Sequence, residues 1–531
     1  MSVNQEHALS VAPLRWLFNI RRPVSRNATL LVFVLISFGS AIITAPAFIS
    51  AMYPIELELR EGTNWLHALA LSRGINIFDP ATVAYINMNH GPMDAIAKSL
   101  IISVFPNGPA SVLTRSFCML LPLIILALSL FLLKNRELPI LKGLLLTFIT
   151  YGLLIINPTY GSFVGRSDPT ALCFGFLAAA VMLSSVDGTR PSSYAFGSVG
   201  LLLSLMILTN WRFIAVVPFM LIAWRHYGGP MLRPTLSGYV ACLAGLTLPP
   251  LFVLHHYYAW DLSLYYKHYF GFWGPDSGWG QSFSAATDSF SLTTAALFHL
   301  KLPVGVYLLL GTIVVSIGLF AMAIEVSDHR KQWLFSTILV AAAVFVHYLV
   351  AAFGPSGFYY MKPTLIVVWM CGIILCMHLN TMRFPTLGLI SIAIVFVVMV
   401  RVVAPQYVFF AKSFPKALEY AGALQLAGAE APIYTESDFF FVRSHIPMID
   451  MGDTASAVEK TGYYGPAFSW KFRDNLNRLT YMPPTYIVHS SADSPELARI
   501  VRNQYVEVRC APEYFWGYLP PCLYRLAARN R

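Results

Sequence analysis

Long apolar runs separated by short polar segments dominate the chain from residue 28 to residue 403. A helix needs about 20 apolar residues to cross a hydrocarbon core of about 30 Å. The pattern therefore predicts an α-helical polytopic membrane protein with about 11 transmembrane helices. The predicted spans are 28–50, 110–133, 142–157, 168–186, 193–209, 211–226, 235–258, 303–325, 332–353, 363–380 and 385–403.

The distribution of basic residues among the loops predicts how the chain is oriented in the membrane. Short cytoplasmic loops collect Lys and Arg. If the N-terminus is cytoplasmic, all five inner loops are basic, and the tail from residue 405 lies outside the cytoplasm. The first span is too long for the apolar region of a signal peptide, so we interpret it as a retained anchor. Whether 168–226 forms three full crossings stays open, because only a turn near Pro191 and the residues Asn210–Arg212 interrupt it.

Three predicted extracytoplasmic segments are too long to be simple connectors: 51–109, 259–302 and 405–531. The last one alternates extended and helical stretches, which is typical of a small α/β domain. We therefore divide the chain into a transmembrane domain, 1–404, and a C-terminal extracytoplasmic domain, 405–531. Cys510 and Cys522 lie in this tail, and outside the cytoplasm they are predicted to form a disulfide.

Composition supports the membrane interpretation. Only 12% of the residues are charged and 56% are apolar, whereas an ordinary soluble domain is roughly 25% charged. The net charge of +10 comes from scattered basic residues, and basic cytoplasmic loops account for it without a nucleic-acid partner.

The predicted spans contain few ionisable residues, which disfavours a secondary transporter, since that class usually binds its cargo through polar groups near the midplane. Charge is concentrated instead at the predicted outer face. There a carboxylate could take a proton from an acceptor hydroxyl, while cations neutralise a departing phosphate. The residues that concentrate charge there are Glu56, Glu58, Arg60, Glu61, Asp79, His90, Asp94, Arg166 and Asp168.

The first outer loop contains the strings REGTNWLHALALSRGINIFDP, YINMNHGPMDAIAKSLI and VLTRSF. Their order resembles the first loop of GT-C superfamily glycosyltransferases. In that family an acidic residue precedes a helix of the form A-x-x-L-x-x-G, an aromatic residue and a proline, a G/P-P-L-like turn, and an Arg at the start of the next span. The matching positions are Glu61, Ala68–Gly74, Phe78 with Pro80, His90–Met93, and Arg115. A later segment, GRSDPTALCFGF, resembles the family's G-R-x-D element. The stretch Gly357–Pro363 resembles the family's late luminal G-x-x-x-Y stretch.

This resemblance implies a GT-C fold and an inverting transfer of a sugar from a polyprenyl-phosphate donor. The acceptor would be an extracytoplasmic cell-envelope glycan, lipid or protein, and no cofactor or metal ion is required. By resemblance, Glu61, or else Glu58, is the general base, and Asp168 is a further catalytic candidate. His90, Arg166, Arg212, Tyr360 and Lys362 are the substrate-binding candidates.

The sequence departs from the family pattern at two positions. Arg60 stands where many members have Asp directly before the acid, which leaves open whether Glu61 or Glu58 is the base. Asn210 stands where several relatives have Lys. Asp168 also suits a helix N-cap before Pro169, and Tyr360 and Lys362 also suit an interfacial anchor.

Two other functions stay open. A transporter or flippase of lipid-linked saccharides would share the hydropathy and would tolerate Glu61→Gln. A polysaccharide polymerase or ligase would share the substrates but is expected to use Arg and His in a large loop.

Overall fold

The computed structural model of the protein describes the following residues: 26–57, 60–79, 91–155, 164–184, 191–228, 235–265, 330–352, 362–378, 386–431, 433–435, 479, 482–489, 495–512 and 520–527. These residues are mostly helical. The helices are α1 (Arg26–Met52), α2 (Arg60–Ser72), α3 (Pro92–Val104), α4 (Ala110–Thr114), α5 (Ser116–Leu133), α6 (Pro139–Ile155), α7 (Ser167–Ser184), α8 (Ser193–Thr209), α9 (Val217–Gly228), α10 (Leu236–Tyr258), α11 (Arg330–Ala352), α12 (Thr364–His378), α13 (Thr386–Glu430) and α14 (Pro495–Gln504). The strands are β1 (Ile433–Thr435), β2 (Tyr486–His489), β3 (Tyr505–Cys510) and β4 (Cys522–Leu526).

Four helices in the described ranges are long and apolar enough to cross a membrane: Phe33–Met52, Ser116–Leu133, Ser167–Ser184 and Leu236–Tyr258. Four shorter apolar helices accompany them at Pro139–Leu154, Ser193–Thr209, Leu334–Val344 and Thr364–Met377. These helices coincide with runs that hydropathy marks as spans. The span predicted at 303–325 lies outside the described residues, so the total of about 11 stays a prediction.

In three places the helices differ from the predicted spans: one span is broken, one begins with a short 3-10 segment, and one continues well past its predicted end. The run 110–133 is interrupted at Arg115, which separates α4 from α5. The run 211–226 starts with one short 3-10 segment, Trp211–Val216, before α9 begins. The last span continues without interruption through residue 405 to Glu430, giving α13 a length of 45 residues. At 1.5 Å per residue, α13 extends roughly 65 Å, about twice the thickness of a hydrocarbon core.

Helices α8 and α10 pack closely because a glycine faces the neighbouring backbone. A Cβ on Gly200 would lie 2.2 Å from the carbonyl oxygen of Cys242. A side chain at this position would push the helices apart. The other side of α10 exposes apolar residues such as Leu243 and Phe252, as expected for a helix that faces lipid.

The beginning of the first loop packs against the middle of α13. The ring of Tyr53 lies 5.6 Å from the ring of Phe410 and 5.8 Å from that of Phe414, both in edge-on geometry. Edge-on contacts between aromatic rings are favourable beyond the area they bury. These contacts hold the chain that leaves α1 against the long helix.

The C-terminal strands form one sheet in the order β1-β2-β4-β3. Strands β1 and β2 are parallel, whereas β4 runs antiparallel to both of its neighbours. The extended and helical stretches expected in the tail are therefore present at β1, β2 and α14. A disulfide between Cys510 and Cys522 joins β3 to β4. The sheet contacts the end of α13 through Arg525, which donates to Glu430 at 3.0 Å.

Candidate active site

Glu61 lies in the first turn of α2, and its carboxylate is completely buried. Oε1 accepts hydrogen bonds from Arg115 Nε at 2.8 Å and from the Gly165 amide at 2.6 Å. Oε2 accepts from Arg115 Nη2 at 2.6 Å and from the Leu57 amide at 2.7 Å. A carboxylate has about four lone-pair sites, so this geometry occupies all of them.

Arg115 is equally buried and faces carbonyl groups in the last turn of α1 and just after it. Besides Glu61, its guanidinium donates to the carbonyl oxygens of Ser50, Tyr53 at 3.0 Å and Ile55 at 2.8 Å. We call this ion pair with its backbone partners the Glu61–Arg115 clasp. Arg115 lies at the break between α4 and α5. The clasp joins the end of α1, the start of α2 and the segment before α7.

Gly165 is the point where the first loop contacts the segment that leads into α7. Its carbonyl oxygen accepts from Asn64 Nδ2 at 2.9 Å and from Lys98 Nζ at 3.0 Å, and its amide donates to Glu61. A Cβ at this position would lie 2.7 Å from Thr114 Cγ2 and 3.0 Å from the Thr114 carbonyl oxygen. Only a residue without a side chain fits this contact, and it places Arg166 and Asp168 directly beside the first loop.

Asp94 and Lys98 form a buried ion pair on α3. Lys98 Nζ lies 2.8 Å from Asp94 Oδ2, and Thr170 on α7 donates from Oγ1 to Asp94 Oδ1 at 2.6 Å. Their spacing of four residues puts both side chains on one face of the helix. The pair thereby ties α3 to the start of α7.

Asp168 lies in the first turn of α7, where the helix dipole favours a negative charge. Its Oδ1 accepts from Asn210 Nδ2 at 3.1 Å, and its Oδ2 accepts from Lys362 Nζ at 3.4 Å. Asp168, Arg166 and Lys362 are each less than 5% exposed. Burial lowers the pKa of Lys362, and Arg166 lowers it further, while Asp168 opposes the shift. Lys362 thus pairs with Asp168, and Arg166 is close enough to act electrostatically on Lys362.

The structure brings together Glu61, Arg166, Asp168 and Lys362 from the residues that the sequence predicts. Arg212 donates its backbone amide to Asn210 Oδ1 at 3.2 Å, and its guanidinium lies 5.8 Å from the ring centroid of Trp211. Three further candidates, Glu58, His90 and Tyr360, lie outside the described residues. The catalytic and substrate-binding roles of all these residues stay predictions.

The sequence analysis did not identify several side chains of this cluster. They are Asn64, Lys98 and Thr170, together with Asn210 in its role as the partner of Asp168. The spacing of Asp94 and Lys98 on a short helix is a signal for that pair. No local signal identifies Asn64 or Thr170, because their partners are 101 and 76 residues away in the sequence.

Candidate metal ligands also occur in the C-terminal sheet. Among the described residues, Glu507, Cys510 and Cys522 lie close enough together to hold an ion. The two sulfur atoms are joined in the disulfide, so they do not offer thiolate ligands. The expectation that no metal is required stays a prediction.

Comparison with solved structures finds ArnT from Cupriavidus metallidurans. The crystal structure of ArnT bound to undecaprenyl phosphate matches with a TM-score of 0.51 and 12% identity, covering 95% of this chain and 99% of that one. The crystal structure of the same protein in the apo state has a TM-score of 0.37 and 12% identity, covering 94% and 98%. No protein-family model matches the chain, and no curated protein matches it in sequence.

At 12% identity this likeness shows the fold alone. The chain therefore shares the fold of ArnT over nearly its whole length. Together with the apolar helices, the fold indicates an integral membrane protein.

Proposed function

We propose that this protein is a membrane glycosyltransferase that transfers a sugar from a polyprenyl-phosphate donor to an extracytoplasmic acceptor. The observation that carries the proposal is the buried cluster of Arg166, Asp168 and Lys362, within a fold shared with a protein that binds undecaprenyl phosphate. The basic inner loops support placing this cluster at the outer membrane face.

In this proposal Arg166 and Lys362 bind the donor phosphate. Negative charge accumulates on the phosphate as its bond to the anomeric carbon breaks. Positioned cations in a buried site stabilise that charge without first having to reorganise. Asp168 and Asn210 hold Lys362 and the start of α7 in place. A leaving monophosphate balanced by two cations needs no metal ion.

The acceptor hydroxyl must lose a proton as it attacks, which requires a carboxylate with a free lone pair. Glu61 has four donors on its two oxygens, so it would have to release one of them before acting. We therefore assign Glu61 to positioning and the base to Glu58, the other carboxylate that the resemblance suggests. Attack on the face opposite the phosphate gives inversion.

The test compares release of polyprenyl phosphate by variants of the full chain in nanodiscs, over a panel of polyprenyl-phosphate sugars. Lys362→Met and Arg166→Gln are each expected to lower kcat about 10²- to 10³-fold, the usual cost of removing a group that stabilises transition-state charge. Lys416→Met is the matched control, because Lys416 lies exposed on α13.

The same assay tests the assignment of the base. Glu58→Gln is expected to abolish transfer while donor binding persists. Unchanged turnover in both cationic variants would refute the phosphate site. Binding of the donor without turnover by the wild type would favour the flippase of lipid-linked saccharides.

A further inference from the structure

Lys98 on α3 contacts the backbone on both sides of the Cα atom of Arg166. Its Nζ donates to the carbonyl oxygen of Gly165 at 3.0 Å and to that of Arg166 itself at 3.5 Å. These two carbonyl groups flank the Arg166 Cα, so their directions depend on the φ and ψ angles of Arg166. Lys98 therefore constrains the backbone from which the Arg166 side chain departs.

Asp94 extends this contact to the beginning of α7. Its Oδ2 pairs with Lys98 at 2.8 Å, and its Oδ1 accepts from the hydroxyl of Thr170 at 2.6 Å. Thr170 lies two residues after Asp168 at the start of α7. The ion pair thus holds the chain on both sides of the two residues Arg166 and Asp168.

The Lys98 ammonium group is committed to acceptors within the protein. It has three donors, and its three acceptors are Asp94, Gly165 and Arg166. The side chains of Lys98 and Asp94 are each less than 5% exposed. The pair is therefore suited to act on a bound phosphate through the residues that it holds, rather than by direct contact.

Placement matters at this point because the proposed phosphate site depends on the direction of its charged side chains. A displacement of about 1 Å in an active site can lower the rate about 10²-fold. Apolar residues of similar volume often stabilise a fold as well as a buried ion pair does. Apolar side chains cannot donate to carbonyl oxygens, however, so they would not fix the peptide groups beside Arg166.

We propose that Lys98 and Asp94 are positioning residues of the phosphate site, which fix the backbone of Arg166 and the start of α7 before the donor binds. The inference rests on the proposed glycosyl transfer, to which it adds two residues from a different helix, α3. Because Lys98 acts through Arg166, removing Lys98 is expected to matter only while Arg166 is present.

The test is a double-mutant cycle on the full chain in nanodiscs. It measures the Kd of polyprenyl phosphate and the kcat for its release from polyprenyl-phosphate sugars, both per mole of folded protein. Lys98→Met is expected to raise Kd about tenfold and to lower kcat roughly 10- to 100-fold, the effect of a misplacement of about 1 Å. In the Arg166→Gln background, the same substitution is expected to change either quantity by less than about twofold.

Milder substitutions and a matched control separate positioning from folding. Thr170→Val removes the hydroxyl that Asp94 accepts and is expected to give a smaller loss of kcat, whereas Thr170→Ser keeps the hydroxyl and is expected to retain the wild-type value. Lys142→Met is the control, because Lys142 is also a buried lysine and its Nζ donates to the Cys376 carbonyl at 2.9 Å. Cys376 is near the end of α12 that is far from Lys362, so kcat is expected to stay unchanged even where stability falls.

Equal losses from Lys98→Met in both backgrounds would overturn the inference, because a lysine that only stabilises the fold acts independently of Arg166. If the wild type turns over a donor, equal losses would refute the positioning role alone. Binding of polyprenyl phosphate without turnover of any donor would refute glycosyl transfer, and the cycle on Kd would then decide the positioning role. A wild type that neither binds nor releases polyprenyl phosphate would refute both.

Discussion

Ion pairs join distant parts of the chain in the Glu61–Arg115 clasp and at the C-terminal sheet. The pair in the clasp is buried, whereas the pairs at the sheet are exposed. In the clasp, Glu61 and Arg115 are both fully buried and engage five backbone groups in addition to each other. At the sheet, Arg525 pairs with Glu430 and Arg509 with Glu419, and all four side chains are more than half exposed. Water screens the second region, whereas the first must satisfy its charges internally. The same residue types therefore determine loop geometry in one place and contribute little in the other.

The largest expected effect is on the clasp. Arg115→Met leaves the Glu61 carboxylate buried without its cation and is expected to lower the free energy of unfolding by about 3–5 kcal/mol. Unfolding in detergent by a denaturant titration measures it, with Lys412→Met at an exposed position of α13 as control. The double variant Arg115→Met/Glu61→Gln is expected to lose less than the sum of the single losses, because neither charge is left alone. Additive losses would show that the two groups act independently.

The next effect concerns pH. In the proposed phosphate site Lys362 acts in its protonated form, and burial lowers its pKa from the ordinary lysine value. Its charge is present below that lowered pKa, so kcat/KM is expected to fall as pH rises through it. Lys362→Arg keeps its charge at all accessible pH values and should move the alkaline decline upward. An identical alkaline decline in both proteins would separate Lys362 from phosphate binding.

The smallest effect is expected at the sheet. Arg525→Gln and Arg509→Gln should each change the stability of the sheet by about 0–1 kcal/mol, and less at high salt. Hydrogen exchange of the amides in β4 measures this change, with the wild type at the same salt concentration as reference. A loss of stability as large as that expected for Arg115→Met would show that exposed ion pairs contribute as much as buried ones in this protein.

Local patterns in the sequence account for much of the fold. The apolar runs predict the positions of α1, α5, α7, α8, α10 and α12 because each helix must bury or expose a long apolar surface. The strands β1 and β2, and the pairing of Cys510 with Cys522, also follow from nearby residues. The first-loop resemblance could be read from the sequence because its helix, turn and arginine follow one another in a fixed order.

Tertiary structure alone decided how the charges are used. Hydropathy predicts one span across Arg115, but the helix breaks there, where Arg115 pairs with a buried partner 54 residues earlier. Composition changes near residue 405, yet α13 continues to Glu430, since packing against the first loop and the sheet supports it beyond the apolar run. The sequence by itself determined which segments are apolar and which residues could carry the chemistry. Which carboxylate meets which cation depends on packing between segments distant in the chain, because the energy of an ion pair depends on burial and distance, and neither is a local property.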